Sequence, residues 1–249
     1  RLEARCGCRC SVGIGTPGSL SPATGRLRNA NSTCLNDRPL DVDLAARLGR
    51  PVRIANDADC FALSEASDGA ACGVSSMFGV IIGTGTGGGI VIDGKLLHGP
   101  NAIAGEWGHN PLPWPSDNER PGPPCYCGKQ GCIETFLSGP GLSRDYAGDS
   151  RLSARTIVQR AAAGEPAAQA CLGRYEDRLA RSLASVINVI DPEAIVLGGG
   201  LSNIARLYKA VPRLWRHYVF SDVVRTRLLP PAHGDSSGAR GAAWLWPAN

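Results

Sequence analysis

The sequence predicts an α/β protein, and three observations carry that expectation. Short apolar runs suited to strands alternate with longer amphipathic stretches at helical spacing. Two glycine clusters, at 83–89 and 198–200, each follow such an apolar run. An apolar content of 43% over 249 residues is enough to bury a sizeable core.

The elements follow in order. The first ten residues, RLEARCGCRC, are unlike the rest; Cys6, Cys8 and Cys10 are expected to be an atypical terminus, with a metal cluster as the alternative. SVGIGTPGS (11–19) reads as a strand entering a Pro-Gly turn. RPLDVDLAARLGR reads as an amphipathic helix closed by Gly49, and PVRIANDAD as a strand that stops at Asn56-Asp57 before the helix CFALSEASDGAA. SMFGVIIGTGTGGGIVIDGKL gives strand, glycine turn, strand, which is a hairpin. A loop-rich stretch then runs to a helix beginning near Ile133. From Ser153 the chain turns to Ala-rich helices, of which AAQACLGRYEDRLARSLASVINVID is the longest. EAIVLGGG is a buried strand with a glycine turn, and SNIARLYKAVPRLWRHYV a helix bent by Pro212. HGDSSGARGAAWLW closes the chain as a strand end, a turn and a small-residue helix.

Composition excludes several functions. The 26 Lys and Arg against 22 Asp and Glu give +4, scattered along the chain, which does not fit a nucleic-acid surface. No apolar run approaches the ~18 residues of a membrane span, and no leader pattern stands at the start. Ten unevenly spaced cysteines without such a leader fit a reducing cytosol, so a cytoplasmic location is expected.

Four constellations carry chemistry. The first glycine cluster lacks the Gly-Lys-Ser/Thr ending of a P-loop and leads into a strand, whereas a dinucleotide fingerprint opens a helix. What remains is a turn, Gly83, Thr84, Gly85, Thr86 and Gly87, whose N–H groups and hydroxyls can approach phosphate oxygens; a plain hairpin tip is the alternative. The second cluster places Gly199 and Gly200 between a strand and a helix, where an anion or a nucleotide can sit, or where the chain simply turns tightly. Asn56-Asp57 ends a strand, the usual place for ligand-contacting groups, although Asp57 or Asp59 could equally cap the next helix. Finally, Cys125, Cys127 and Cys132 with His109 make a Cys3His set that closes a zinc tetrahedron and leaves no open position, so the metal is structural. A Cys125–Cys127 bridge is the strained alternative. Such a site would turn Glu106 and Glu134, each close to a ligand, toward one point where they could accept hydrogen bonds from sugar hydroxyls.

At ANDAD, GTGTGGG, GEWGH and CYCGKQGCIETF the chain resembles the ROK group of sugar kinases and related repressors, from about Ser11 to Pro247. NANSTCLN, GEWGHNPLPW and HGDSSGARGAAWLW look most like its bacterial fructokinase branch. The resemblance implies an actin-like ATPase (ribonuclease H-like) two-domain sugar kinase fold, with sugar and ATP in the cleft between domains. Residues 1–58, with the C-terminal helix 234–249 packing back, would be what is present of the small domain, and 59–233 the large domain carrying zinc loop 105–136. The family's opening Asp-x-Gly-Gly-Thr-Lys loop has no counterpart, from which an N-terminally truncated form, a misassigned start or a chain inactive toward ATP is expected.

Carried over by position, Asp57 is the general base, with Asn56 beside it on the sugar. Glu106, His109 and Glu134 contact other hydroxyls, His109 ligates zinc through its second nitrogen, and Asn31 touches the sugar. Thr84, Gly85 and Thr86, with Gly83 and Gly87, approach the phosphates, while Gly199 and Gly200 lie near the nucleoside. The implied cofactors are ATP, Mg2+ and structural Zn2+. The implied reaction is D-fructose to fructose 6-phosphate, with mannose and glucose as further substrates and a homodimer as the expected assembly. Two other readings stand beside it: a sugar-responsive regulator of the same family, and a sugar-binding fragment without catalysis.

Overall fold

The computed structural model describes residues 2–30 and 32–247. After helix α1 (Leu2–Cys6), strand β1 (Val12–Thr16) leads through the hairpin β2 (Ser19–Leu20) and β3 (Leu27–Arg28) to helix α2 (Leu40–Leu48). Gly49 closes that helix at φ 61°, the left-handed position expected of it. Strand β4 (Val52–Asn56) then pairs in parallel with β1, bringing Thr16 opposite Asn56.

Helix α3 (Asp57–Ser67) carries the chain to a larger mixed sheet. Its strands are β5 (Ser76–Ile82), β6 (Thr86–Ile92), β7 (Lys95–Leu96), β8 (Ala194–Gly198) and β9 (Arg227–Leu229), in the order β7-β6-β5-β8-β9. Strand β8 is buried along its whole length between parallel neighbours, which is why it reads as an unbroken apolar run. The later helices are α4 (Ile133–Leu137), α5 (Gly139–Ala147), α6 (Ala154–Ala162), α7 (Pro166–Ile190), α8 (Leu207–Leu214) and α9 (Ser237–Trp244). Leu172, Tyr175, Leu179, Leu183 and Ile187 recur at helical spacing on α7 and join the main core with Phe78 and Val80. Among the described residues, no helix is long and apolar enough to cross a membrane.

Three expectations need correction. Helix α3 begins at Asp57 rather than Cys60, because the Asn56 side chain accepts the Ala58 N–H at 2.8 Å and caps it there. The helix expected over 202–219 is divided: α8 lies between 3-10 turns at Gly200–Asn203 and Trp215–His217. Pro212 leaves the Tyr208 carbonyl without its helical donor, and the helix ends two residues later. The strand expected near residue 233 is β9, which ends at Leu229, with a 3-10 turn at Gly234–Ser236 in its place.

The C-terminal segment returns to the small sheet. A Cβ at Gly241 would stand 1.6 Å from the Cys60 carbonyl oxygen, and one at Gly13 would stand 1.7 Å from that of Ala242, so α9 is wedged against β1 and α3. The Trp246 indole N–H donates to the Val12 carbonyl at 2.8 Å. A division at residue 58 falls in the first turn of α3, which touches both sheets, and we propose it as the domain boundary.

Buried charge ties the loop before the cysteines to α7. Glu119 accepts from Arg178 Nε at 2.7 Å and from Arg181 Nη2 at 2.9 Å, and all three side chains are buried. Burial alone would raise the Glu119 carboxyl, but the bonds from Arg178, the Ser116 N–H and Arg181 prevail and hold it at about 2. Its stabilising contribution is therefore present above the ordinary value of 4.5 and is lost as pH falls toward 2. Glu119→Ala leaves Arg178 with Asp145 and Arg181 with Asp177 as their remaining carboxylate partners, and loss of the shared buried acceptor should cost about 3 kcal/mol, measured by denaturant unfolding. Glu119→Gln, which can still accept a hydrogen bond, should cost less.

Candidate active site

A cavity of about 780 Å3 lies where β4 ends, the β5–β6 turn begins and the cysteine loop folds over. It gathers Asn56, Asp57, Thr84 to Gly87, Glu106, His109 and Glu134. Gly83, Gly199 and Gly200 are not in its lining. The second glycine turn follows β8, whose Gly198 is paired with Ile81 of β5, so both turns emerge at the same end of adjacent parallel strands. Gly199 has φ 78° and a Cβ there would meet the Ile82 carbonyl at 2.5 Å, so only glycine fits. Asn31 lies outside the described residues.

Asp57 is the first residue of α3 and its carboxylate accepts the Ala58 N–H at 2.9 Å. Although the side chain reaches water in the cleft, burial among the surrounding walls raises its carboxyl above the ordinary range, opposed by N–H bonds from Ala58 and from its own backbone. Asn56 turns inward: besides capping α3 it donates from Nδ2 to the Gly18 carbonyl at 3.1 Å, linking the small hairpin to the strand end.

The turn itself spans fewer glycines than the sequence suggests. Gly87, Gly88 and Gly89 belong to β6, and at Gly88 and Gly89 the Phe78 ring, the loop at Gly105 and α3 approach too closely for side chains. Gly105, at φ 87°, would place a Cβ 2.2 Å from the Gly88 carbonyl oxygen. Among the described residues, the Thr84 and Gly85 N–H groups have no internal partner, whereas the Thr86 N–H donates to Glu134 Oε2 at 2.9 Å. Thr84 is open to the cleft and Thr86 is buried, so Thr84 and Gly85 are the members free to meet a ligand.

Trp107 fixes the residues beside it. Its indole N–H donates to the Gly87 carbonyl at 2.9 Å and its ring stands edge-on to Phe78 at 5.5 Å, holding Glu106 and His109 against β6. Glu134 projects from the first turn of α4, two residues after Cys132. The four candidate metal ligands converge, with every ligand atom within 4.8 Å of the others. Cys125 Sγ is 3.6 Å from His109 Nδ1 and Cys127 Sγ is 3.6 Å from Cys132 Sγ. Tetrahedral zinc with bonds of about 2.1–2.3 Å separates its ligands by roughly 3.5–3.8 Å, so the donor set and spacing fit that metal. Cys6, Cys8 and Cys10 are exposed and join no such cluster among the described residues, and every cysteine is free.

Two residues of the cleft carry little signal in the sequence. Tyr126, between two cysteine ligands, places its hydroxyl 2.9 Å from His109 Nε2, the nitrogen turned away from the metal site. Its one sequence signal is an aromatic inside the ligand loop. Asp59, expected only as a helix cap, is raised to about 7 by burial and then by the carboxylates of Glu106 and Asp57. Between the ordinary 3.8 and about 7 the folded chain keeps a proton that the unfolded chain has lost, so this group's contribution to stability falls as pH rises through that window. Asp59→Asn should remove the slope and stabilise the protein at neutral pH, by at most about 4 kcal/mol and less where water reaches the group. Melting temperatures of both forms from pH 4 to 8 check it.

Comparison with known proteins bears on the same cleft. The ROK family model matches residues 1–249. The chain belongs to the ROK family. An N-acetyl-D-glucosamine kinase of Erwinia tasmaniensis is 43% identical over 260 residues, covering 98% of this chain and 83% of that protein. A ROK hexokinase from Thermus thermophilus superposes with a TM-score of 0.83 at 33% identity, covering 97% of this ROK chain and 80% of that one. A ROK family glucokinase from Streptomyces griseus, in complex with glucose and AMPPNP, superposes with a TM-score of 0.79 at 27% identity, covering 98% and 86%. The fold is accordingly the actin-like sugar kinase fold.

Proposed function

We propose that the chain transfers a phosphoryl group from ATP to a hydroxyl of N-acetylglucosamine. The observation that carries the kinase reading is the shared cavity in which Asp57 faces the glycine turn and the Glu106, His109 and Glu134 side chains. The sugar comes from the relatives: the Erwinia protein is named an N-acetyl-D-glucosamine kinase, and none of these three relatives is named a fructokinase. N-acetylglucosamine therefore replaces fructose as the first substrate, and fructose, mannose and glucose become the comparison sugars.

ATP with its Mg2+ supplies the phosphoryl group and neutralises developing charge, so the protein's own task is mainly positioning. Asp57 accepts the proton of the attacking hydroxyl as the new bond forms. Its raised carboxyl makes it a better base than an ordinary aspartate. Glu106, the free oxygen of Glu134 and His109 Nε2 hold other sugar groups, Tyr126 yielding the imidazole when sugar enters. Thr84 and Gly85 turn their N–H groups toward the phosphates, and zinc on His109, Cys125, Cys127 and Cys132 fixes the loop without entering the reaction. Ten free cysteines support a cytoplasmic location.

A coupled assay with ATP and Mg2+ should give a kcat/KM for N-acetylglucosamine at least about tenfold above that for fructose, the discrimination one well-placed contact supplies. A preference for fructose would restore the fructokinase reading. Sugar binding without any turnover would point to the non-catalytic one.

A further inference from the structure

A second cavity, of about 150 Å3, opens beside the sugar cleft and shares Gly18, Asn56, Gly88 and Glu106 with it. Asp57 and Asp59 stand two positions apart at the start of α3, roughly 200° apart around the helix. Asp57 accordingly lines the main cleft and Asp59 the side cavity. The apolar lining of the side cavity includes Leu20, Ala55 and Ala104, with Ser19 and His98 as polar neighbours. The Asp59 carboxyl makes no hydrogen bond among the described residues; only burial and the charges of Glu106 and Asp57 act on it.

We propose that this side cavity takes the acetamido group of an N-acetylated amino sugar, with Asp59 and Glu106 as the residues that select it over a hydroxyl. The inference rests on the sugar-kinase reading and names the substrate feature that the site selects. A cavity of this volume accepts a group the size of benzene, and an acetamido group is smaller. Its methyl finds the wall of Leu20, Ala55 and Ala104. Its N–H can donate to the Glu106 carboxylate, which belongs to both cavities and so lies where the sugar ring meets the substituent. Its carbonyl needs a donor, and Asp59 supplies one in the protonated form that its surroundings favour up to about pH 7. A sugar with a bare hydroxyl at that carbon leaves the apolar wall wet and Asp59 unpartnered, which disfavours it.

Calorimetric titration of the chain with N-acetylglucosamine and with glucose tests this without relying on turnover. The unmodified chain should bind the acetamido sugar at least about tenfold more tightly. Ala104→Leu, which fills the cavity, and Asp59→Leu, which removes the donor, should each lower the ratio of the two affinities about tenfold or more. Asp59→Asn, whose amide still donates, should keep the ratio within about threefold of the unmodified value, and melting curves confirm that each variant is folded. If the two affinities fall together in Ala104→Leu and Asp59→Leu, the side cavity does not read the acetamido group and the inference is overturned while the kinase reading stands. If the unmodified chain binds neither sugar, both are overturned.

Discussion

Replacing Cys132 with serine should release the metal and abolish measurable sugar affinity, the largest effect expected of any single change in the cleft. Cys132 is buried, its Sγ lies 3.6 Å from that of Cys127, and it is the residue from which α4 starts. Two residues into that helix, Glu134 reaches across to the Thr86 N–H, so the cysteine, the sugar-side carboxylate and the glycine turn form one mechanical unit. On the other side His109 offers Nδ1 to the metal site and Nε2 to the cleft. Structural zinc contributes on the order of 10–16 kcal/mol in small folding units. That figure is an upper bound here, because Glu119 with Arg178 and Arg181 also anchors the loop to α7. Elemental analysis should find one zinc per unmodified chain and none in Cys132→Ser, with sugar affinity reduced more than about 100-fold. A chelator acting on the unmodified chain should reproduce the loss, which separates metal release from the change of side chain. Purified protein that lacks zinc and still binds sugar would end the structural-zinc account.

How much of such a site is legible in the amino-acid sequence depends on the range of the signal. The cysteine cluster is legible because its members lie within eight residues of one another, and the structure brings them together with His109. Asp57 is legible as a strand-end carboxylate, and the long helix α7 and the buried strand β8 from periodicity and apolar length. Strands of two or three residues, such as β2, β3 and β9, carry too few positions for alternation to register. The glycine run overstates the turn because packing glycines on β6 and a hairpin tip look alike in sequence; only the passage of α3 and Gly105 over β6 separates them. Asp59 is hidden for a different reason. Its cavity is assembled from the β1–β2 turn, the end of β4 and the segment 97–106, which are far apart along the chain. On the proposed reading substrate choice is hidden for the same reason: the motif residues assigned to the sugar ring line the main cleft, whereas the wall assigned to a substituent is assembled from segments far apart in the chain.

Asp57→Asn should cut turnover by about 10²–10⁴, the usual worth of a general base, while sugar affinity stays within a few fold. The substitution is nearly isosteric, and the amide oxygen of asparagine can still accept the Ala58 N–H that Asp57 Oδ1 now accepts at 2.9 Å. The start of α3 is held independently by the Asn56 cap, so the backbone around the site should not move. What the variant lacks is an atom that can take a proton from the attacking hydroxyl as the bond to phosphorus forms. The pH profile gives a second reading of the same residue. Because burial raises the Asp57 carboxyl, the unmodified enzyme should lose kcat as pH falls at values above the ordinary aspartate range, as the base becomes protonated. Residual turnover of Asp57→Asn should lack that acidic limb. Steady-state kinetics alongside direct sugar titration distinguishes the outcomes: turnover that barely changes would leave Asp57 a structural residue at the helix start and overturn the proposed mechanism, whereas a collapse of sugar affinity would assign it to binding rather than to proton transfer.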